Sequence, residues 1–392
     1  MQYVANLKST LSLLGRLIWR TYFPGKGSMA RLTPKRFVIM TVFIPVFCVL
    51  QTIHWIGLIL DELFFRGYRQ IEIKEPLFIV GIPRTGTTFL HQTLAKDTDN
   101  WTTLTLWELI LAPSISERMF WLGMAKLDRF LGRPITKLYV YFKQKSSTQL
   151  EHIHPISYND PEEDFMTLIP ILSCFLLIHP FPFPELWRLA FFDEQIPEPD
   201  RKRIMTFYKS CLQRHLYVNG PEKRLLVKNA SFCPMICTLK ETFPDCKIIF
   251  TVRNPLALVP SFLSTMTEGA RLFDNNFQGH QFRDQVLEVL RYFHHHMFSV
   301  LLEWPQNLYI IITMEELTRN IKKIVKRIYD HFDIPFSPSF ERYLTEVMPQ
   351  ARKYISHHRY SLAEFDLSEN DIYKDFSEIF ARFSYEFTKE ET

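Results

Sequence analysis

The stretch PLFIVGIPRTGTTFLHQTLA, residues 76–95, limits what this chain can fold into more than any other. Leu77–Val80 is wholly apolar over a short strand's length, which predicts a strand covered on both faces. Gly81 to Gly86 predicts a tight turn. Thr87–Ala95 then resumes with Phe89, Leu90 and Leu94 at helical spacing. Strand, glycine turn and helix together make an anion site, because the N–H groups of the turn and the positive end of the helix dipole converge on one point. The spacing Gly81-x-x-x-x-Gly86 is that of a nucleotide-triphosphate loop, but Thr87 stands where that loop carries its lysine, followed by Thr88. The cation of the turn is Arg84. The loop suits a phosphate-like group and lacks the lysine that grips a triphosphate.

Strands alternating with helices return further on. Leu225–Lys228, Lys247–Val252 and Leu308–Thr313 read as strands, and Pro234–Phe243, Leu256–Met266 and Glu315–Phe332 as helices. The pattern predicts an α/β, three-layer, P-loop-like fold: a central parallel sheet of about four to five strands flanked by helices, preceded by an N-terminal hydrophobic helical segment. The chain of 392 residues divides into a basic and hydrophobic segment, 1–69, and a main domain, 70–392. Within the latter, residues 150–220 are rich in aromatics and proline (EHIHPISYNDPEEDF, HPFPFPELW) and read as an insertion of short helices and loops that walls a substrate site.

Residues 1–36 hold seven basic residues and no acidic one. Phe37–Leu60 follows, FVIMTVFIPVFCVLQTIHWIGLIL, about the length of one membrane crossing. Pro45, Gln51, Thr52 and His54 interrupt it, and it has no small-residue cleavage pattern of a removable signal. Three readings stand: a single span, a segment lying in the interface with its basic flank on anionic headgroups, or a helix pair docked on the soluble body. Membrane association is the expectation. A span would keep the basic flank cytoplasmic and carry the rest across, into the Golgi lumen in a eukaryotic cell; otherwise the protein sits on the cytoplasmic face. In a lumenal protein, Asn100-Trp101-Thr102 would be a candidate glycosylation triplet. The net charge of +4 gives no reason to expect nucleic acid. The six cysteines show no C-x-x-C spacing, and Cys233 and Cys237 lack further ligands near them in sequence, so no metal is expected. The run His294–His296 reads as a solvated helix face.

The second informative stretch is FTVRNPLALVPSFL, residues 250–263. Arg253 ends a strand, where open α/β sheets bind ligands, and Ser261 lies about two helical turns on, so both reach one phosphate. With the loop IPRTGTTFLHQTLAKD, the segments RLLVKNA and FPDCKIIFTVRNPLALVPSF, and the late YDHFDIP and ISHHRYSLAEF, the chain resembles the sulfotransferase superfamily from about Pro76 to Phe387, in its broad P-R-[ST]-G-T-T branch. That superfamily uses 3′-phosphoadenosine-5′-phosphosulfate (PAPS).

The resemblance implies roles by position. Arg84, Thr85, Gly86, Thr87 and Thr88 would cradle the 5′-phosphosulfate. Arg253 and Ser261 would hold the 3′-phosphate, and Lys353, His358 and Arg359 lie in a late basic loop that closes over the nucleotide in similar enzymes. The reaction implied is an in-line transfer of a sulfuryl group to a hydroxyl or amine, with Arg84, Thr87 and Lys228 stabilising developing charge. A hydroxyl acceptor needs a general base. The histidine that small-molecule sulfotransferases carry two residues after their lysine is Ala230 here. Similar enzymes of the protein-tyrosine type use a glutamate after the loop's helix, which makes Glu108 the first candidate. His154, Glu162 and Glu163, in HPISYNDPEED, are the next. Lys228-Asn229-Ala230 departs from the family's usual Lys-Ser-Pro, which keeps a catalytically impaired, membrane-tethered relative in play. A P-loop kinase or NTPase is the other alternative; it requires a lysine after Gly86 and a magnesium-holding aspartate. The expected partner is a hydroxyl-bearing small molecule, lipid, glycolipid or glycan, with a homodimer left open.

Overall fold

The apolar run after Pro76 forms β1 (Leu77–Gly81), buried along its whole length. The computed structural model describes residues 2–25, 28–134, 158–275, 280–346 and 361–387. Among them β1 is joined by β2 (Trp101–Thr102), β3 (Arg224–Lys228), β4 (Lys247–Val252) and β5 (Tyr309–Thr313). The order is β2-β3-β1-β4-β5, and every pairing is parallel. Successive side chains of a strand point to opposite faces. Accordingly Phe78, Val80, Val227, Ile248 and Phe250 enter one core cluster, and Leu77, Ile79, Leu226, Ile249 and Ile312 the other. Both faces are covered, which gives the expected three layers.

The fifth strand, β2, is two residues long, too short to leave a period in the sequence. Tertiary bonds hold it. Trp101 Nε1 donates to the Tyr329 hydroxyl (2.9 Å), which donates to Asp97 (2.7 Å), and Ser337 donates to the other oxygen of Asp97 (2.8 Å). Asn100, of the candidate glycosylation triplet, donates its side-chain amide to Asp97 and to the Pro335 carbonyl.

The N-terminal segment forms α1 (Gln2–Tyr22) and α2 (Pro34–Phe64). Thr33 caps α2 by accepting from the Arg36 N–H. The inner side of the helix mixes core apolar residues (Met40, Ile44, Phe47, Trp55, Leu58) with buried polar ones. Arg36 is fully buried and donates to the carbonyls of Phe273 and Pro180 and to Asn275. His54 Nδ1 meets Glu117 at 2.6 Å. Asp61 accepts from the N–H groups of Ile115 and Ser116 and pairs with Arg214 at 2.8 Å, both side chains being fully buried. At Gly57 a Cβ would collide with the Ser114 hydroxyl, so the helix can approach this closely only with glycine there.

The remaining helices named below are α3 (Thr87–Leu94), α4 (Leu106–Leu111), α5 (Ile115–Phe130), α6 (Glu198–Asn219), α7 (Ile236–Thr242), α8 (Pro255–Leu272), α9 (Gln281–Leu301), α10 (Met314–Arg319) and α11 (Ile321–His331). Several expectations change. Residues 150–220 are not irregular throughout: 164–195 run through short 3-10 and helical turns, but α6 is a regular 22-residue helix, burying Ile204, Tyr208, Cys211 and His215 at helical spacing. The helix expected over 315–332 is two, because Asn320 leaves helical geometry and its side chain caps α11 by accepting from the Lys323 N–H. His294–His296 is not a solvated face. His294 points into the core, where burial pushes its pKa down to about 4, while His296 turns to Asp193. Cys237 therefore has ligand-type neighbours after all: Asp193 and His296 converge on it from distant sequence. Asp193 is already engaged there, capping α7 by accepting from the Cys237 N–H and the Thr238 hydroxyl.

Candidate functional site

The carboxyl ends of β1, β3 and β4 place the loop, Lys228 and Arg253 at one edge of the sheet, with Ile79 beside Lys228 and Gly81 beside Thr251. Gly81 is obligatory: a Cβ there would collide with the Thr251 hydroxyl and lie 2.7 Å from Thr87 Cγ2. Thr85 is buried and locks the turn from beneath, donating to the Ile82 carbonyl (2.6 Å) and meeting the Thr251 hydroxyl (2.6 Å). Gly86 has φ +85° and precedes α3, and a Cβ there would approach Leu317 Cδ2 at 2.9 Å. No side chain caps the first turn of α3. Its orphan N–H groups are the kind that anions satisfy.

Arg84 is exposed and holds φ +75°, a left-handed conformation costly for a residue with a Cβ. Two contacts fix it. Its Nε donates to Ser261 Oγ of α8 (3.0 Å), and its carbonyl accepts from Arg253 Nη1 (3.1 Å). The structure thus joins three of the residues singled out in the sequence, drawn from the loop, the end of β4 and α8.

Lys228 is buried, and its ammonium donates to Thr88 Oγ1 (3.0 Å) and pairs with Glu163 (2.7 Å), with Glu162 at 3.7 Å. The acidic segment therefore lies against the start of α3. Backbone bonds stitch it to α4: Glu162 N–H to the Leu104 carbonyl, Leu106 N–H to Asp160, and Trp107 N–H to Tyr158. The two regions that hold the candidate bases are neighbours, yet their side chains face differently. Glu108 is buried, accepting from the Thr105 N–H (2.8 Å) and hydroxyl (2.9 Å) as the capping residue of α4, and its other oxygen meets Arg118 (3.2 Å), Asn219 (3.3 Å) and His215 (3.4 Å). Burial alone would raise its carboxyl, but Arg118, His215 and Thr105 outweigh that and hold it well below the usual carboxylate range. Glu162 and Glu163 are part-exposed and face Lys228.

Sequence reasoning passed over His91. It is fully buried on α3, bonded through Nε2 to Thr103 Oγ1 (2.7 Å), and its Nδ1 has no partner among the described residues. Burial, then the nearby Lys228 charge, push its pKa well down. Its only signal was a polar residue inside the buried stripe of α3. His154, Lys353, His358 and Arg359 lie outside the described residues.

A parallel α/β sheet with a strand–glycine loop–helix at its carboxyl edge, with Thr87 where nucleotide-triphosphate loops carry lysine and Arg84 as the cation within the turn, is a fold of the P-loop-like class. The sequence profile of the sulfotransferase family matches residues 76–338, and the chain belongs to that family. The chain is similar in structure to the sulfotransferase STF1 of Mycobacterium tuberculosis H37Rv, with a TM-score of 0.67 at 17% identity over 96% of this chain and 97% of that one. It is also similar to the sulfotransferase STF9 of Mycobacterium avium, with a TM-score of 0.63 at 19% identity over 83% and 81% of the two chains. No curated protein sequence matches the chain.

Proposed function

We propose that the protein transfers a sulfuryl group from PAPS to an acceptor hydroxyl. The observation that carries this reading is the Arg84–Ser261 hydrogen bond, together with the Arg253–Arg84 bond, which ties the 5′ cradle to the pair expected to hold the 3′-phosphate. The uncapped first turn of α3 fits the donor's anionic end. The donor supplies a sulfur whose bond to a phosphate oxygen breaks as a bond to the acceptor oxygen forms. Arg84, the Thr87 and Thr88 N–H groups and Lys228 stabilise the charge that builds on the departing oxygen. Glu163 holds Lys228 in place. Glu162, part-exposed beside that ammonium, takes the acceptor's proton, whereas both oxygens of Glu108 are occupied within the protein. A kinase reading has nothing comparable to support it, since Thr87 stands in place of the lysine.

Thermal unfolding with nucleotides tests the donor half. Adenosine 3′,5′-bisphosphate at a hundredfold excess over its Kd stabilises a binding protein by about 2.7 kcal/mol. It is expected to raise the Tm, and ATP with magnesium is not; Arg84→Ala should abolish the shift. Stabilisation by ATP alone would overturn the reading.

A further inference from the structure

We propose that α2 lies flat on an anionic lipid surface and holds the protein there from one side. Its outer face is apolar, where a helix on a water-facing surface turns charged residues outward, and its inner face mixes apolar side chains (Met40, Ile44, Phe47, Trp55, Leu58) with polar ones. Here Arg36, Gln51, His54 and Asp61 are buried against the body. Val38, Val42, Val46, Val49, Ile53 and Ile56 are 50–64% exposed. They follow one another at intervals of four, four, three, four and three residues, one straight stripe along the helix.

The helix is long and apolar enough to cross a bilayer. Crossing would pull the middle of the helix off the body it packs against. His54, inside the apolar run, would leave Glu117, and Trp55 would give up the Pro170 carbonyl. Breaking such buried hydrogen bonds is unfavourable, and an ionisable side chain inside the bilayer is costly as well. Lying in the interface keeps every inner contact and covers the outer stripe.

Charge selects lipid over a second copy of the chain. Lys8, Arg16 and Arg31 are exposed, and residues 1–36 contain no acidic side chain. Arg20 and Lys35 are exposed too, each also near one acid of the body, Glu185 and Asp274. The end of α1 adjoins the stripe: Tyr22 sets its ring edge against Phe37 and bonds the Thr41 hydroxyl. Beside it Trp19 and Phe23 stack in the open, at 63% and 61% exposure, the residue types that anchor at headgroup level. A symmetric dimer through this face would bring two such cationic arms into one interface, whereas anionic headgroups attract them. The inference is independent of the chemistry at the glycine loop.

Flotation of the full chain with phosphatidylcholine vesicles, with and without phosphatidylserine, tests it. The protein is expected to float with the phosphatidylserine vesicles. The double variant Val46→Asp, Ile53→Asp should stay behind with its Tm unchanged, and Arg16→Glu with Arg31→Glu should weaken binding at least fivefold for each charge removed. Failure of the wild type to float overturns the proposal. So does flotation of the double variant. Self-association in sedimentation equilibrium that the double variant abolishes would make a second copy the occupant. Protection of residues before Pro34 from protease outside the vesicles would show a span.

Discussion

Arg84 spends conformational energy to be where it is. A non-glycine residue in the left-handed region costs about 1–2 kcal/mol, and the bonds to Ser261 and from Arg253 hold it there. The two glutamates nearby separate by environment rather than by sequence. Glu162→Gln is expected to lower kcat by about 10²–10⁴-fold with little change in Tm. Glu108→Gln leaves Arg118 buried without its counter-charge and should cost about 3 kcal/mol of stability while turnover persists in the folded fraction. Steady-state kinetics and urea unfolding of both variants check this, and the reverse pattern would return the base to Glu108. Asp164, next to Glu163, offers a pH test. Burial pushes its carboxyl up to about 8, against the hydrogen bond it accepts from Tyr208. The folded protein keeps this proton longer than the unfolded chain does. Its stabilisation is therefore complete below the ordinary value of 3.8 and is lost as pH rises towards 8. Asp164→Asn lacks this dependence. Between pH 5 and 8, the wild type should lose up to about 4 kcal/mol relative to that variant. Urea midpoints at the two pH values measure it, and a constant difference would mean the carboxyl is already ionised in the fold.

At the scale of elements, α2 is tied to the body by buried ion pairs at its end as well as by apolar packing. Asp61→Asn should destabilise the protein by about 3 kcal/mol, because it removes the fully buried one of the two carboxylates on Arg214 and leaves it Glu62. Loss of protection at α2 amides ahead of α6 in hydrogen exchange would show that the helix lifts off first. Which elements were legible follows from how locally each is encoded. β1 and β4 were readable because a buried strand is one apolar run, and Lys247–Val252 appears with the bounds read from sequence. β2 was not, since tertiary bonds rather than its own residues make it a strand. α6 was hidden because the proline- and aromatic-rich stretch before it masks the change of period at Glu198, and the single helix expected after β5 splits at Asn320, whose capping bond is invisible to a count of apolar spacing. Of the candidate site, the meeting of the loop with Arg253 and Ser261 was readable because they follow two strands whose carboxyl ends lie side by side. The orientation of Glu108 was not, because Arg118 and His215, which turn it inward, come from other helices.

The molecule as a whole is less divisible than its composition suggests. The segment 1–69 reads as an appendage, yet α2 supplies a counter-charge to Arg214 and a hydrogen-bond donor to the Phe273 carbonyl. Deletion of residues 1–64 would strand Arg214 and Glu117 without Asp61 and His54. We expect that product to be insoluble, whereas the full chain yields soluble or vesicle-bound protein; recovery after centrifugation and circular dichroism would decide.

The span between Asp61 and Arg214 also sets a timetable. The two are 153 residues apart in sequence, and the bond between them forms only when both have been synthesised. At about 5–20 residues per second, a ribosome takes roughly 8–30 s to bridge that interval. For that time an apolar helix with Arg36 and Asp61 near its ends waits without its partner. A nascent chain that meets a bilayer at this stage gains cover for the stripe before the body exists to cover the charges. One that does not depends on chaperones for the same interval.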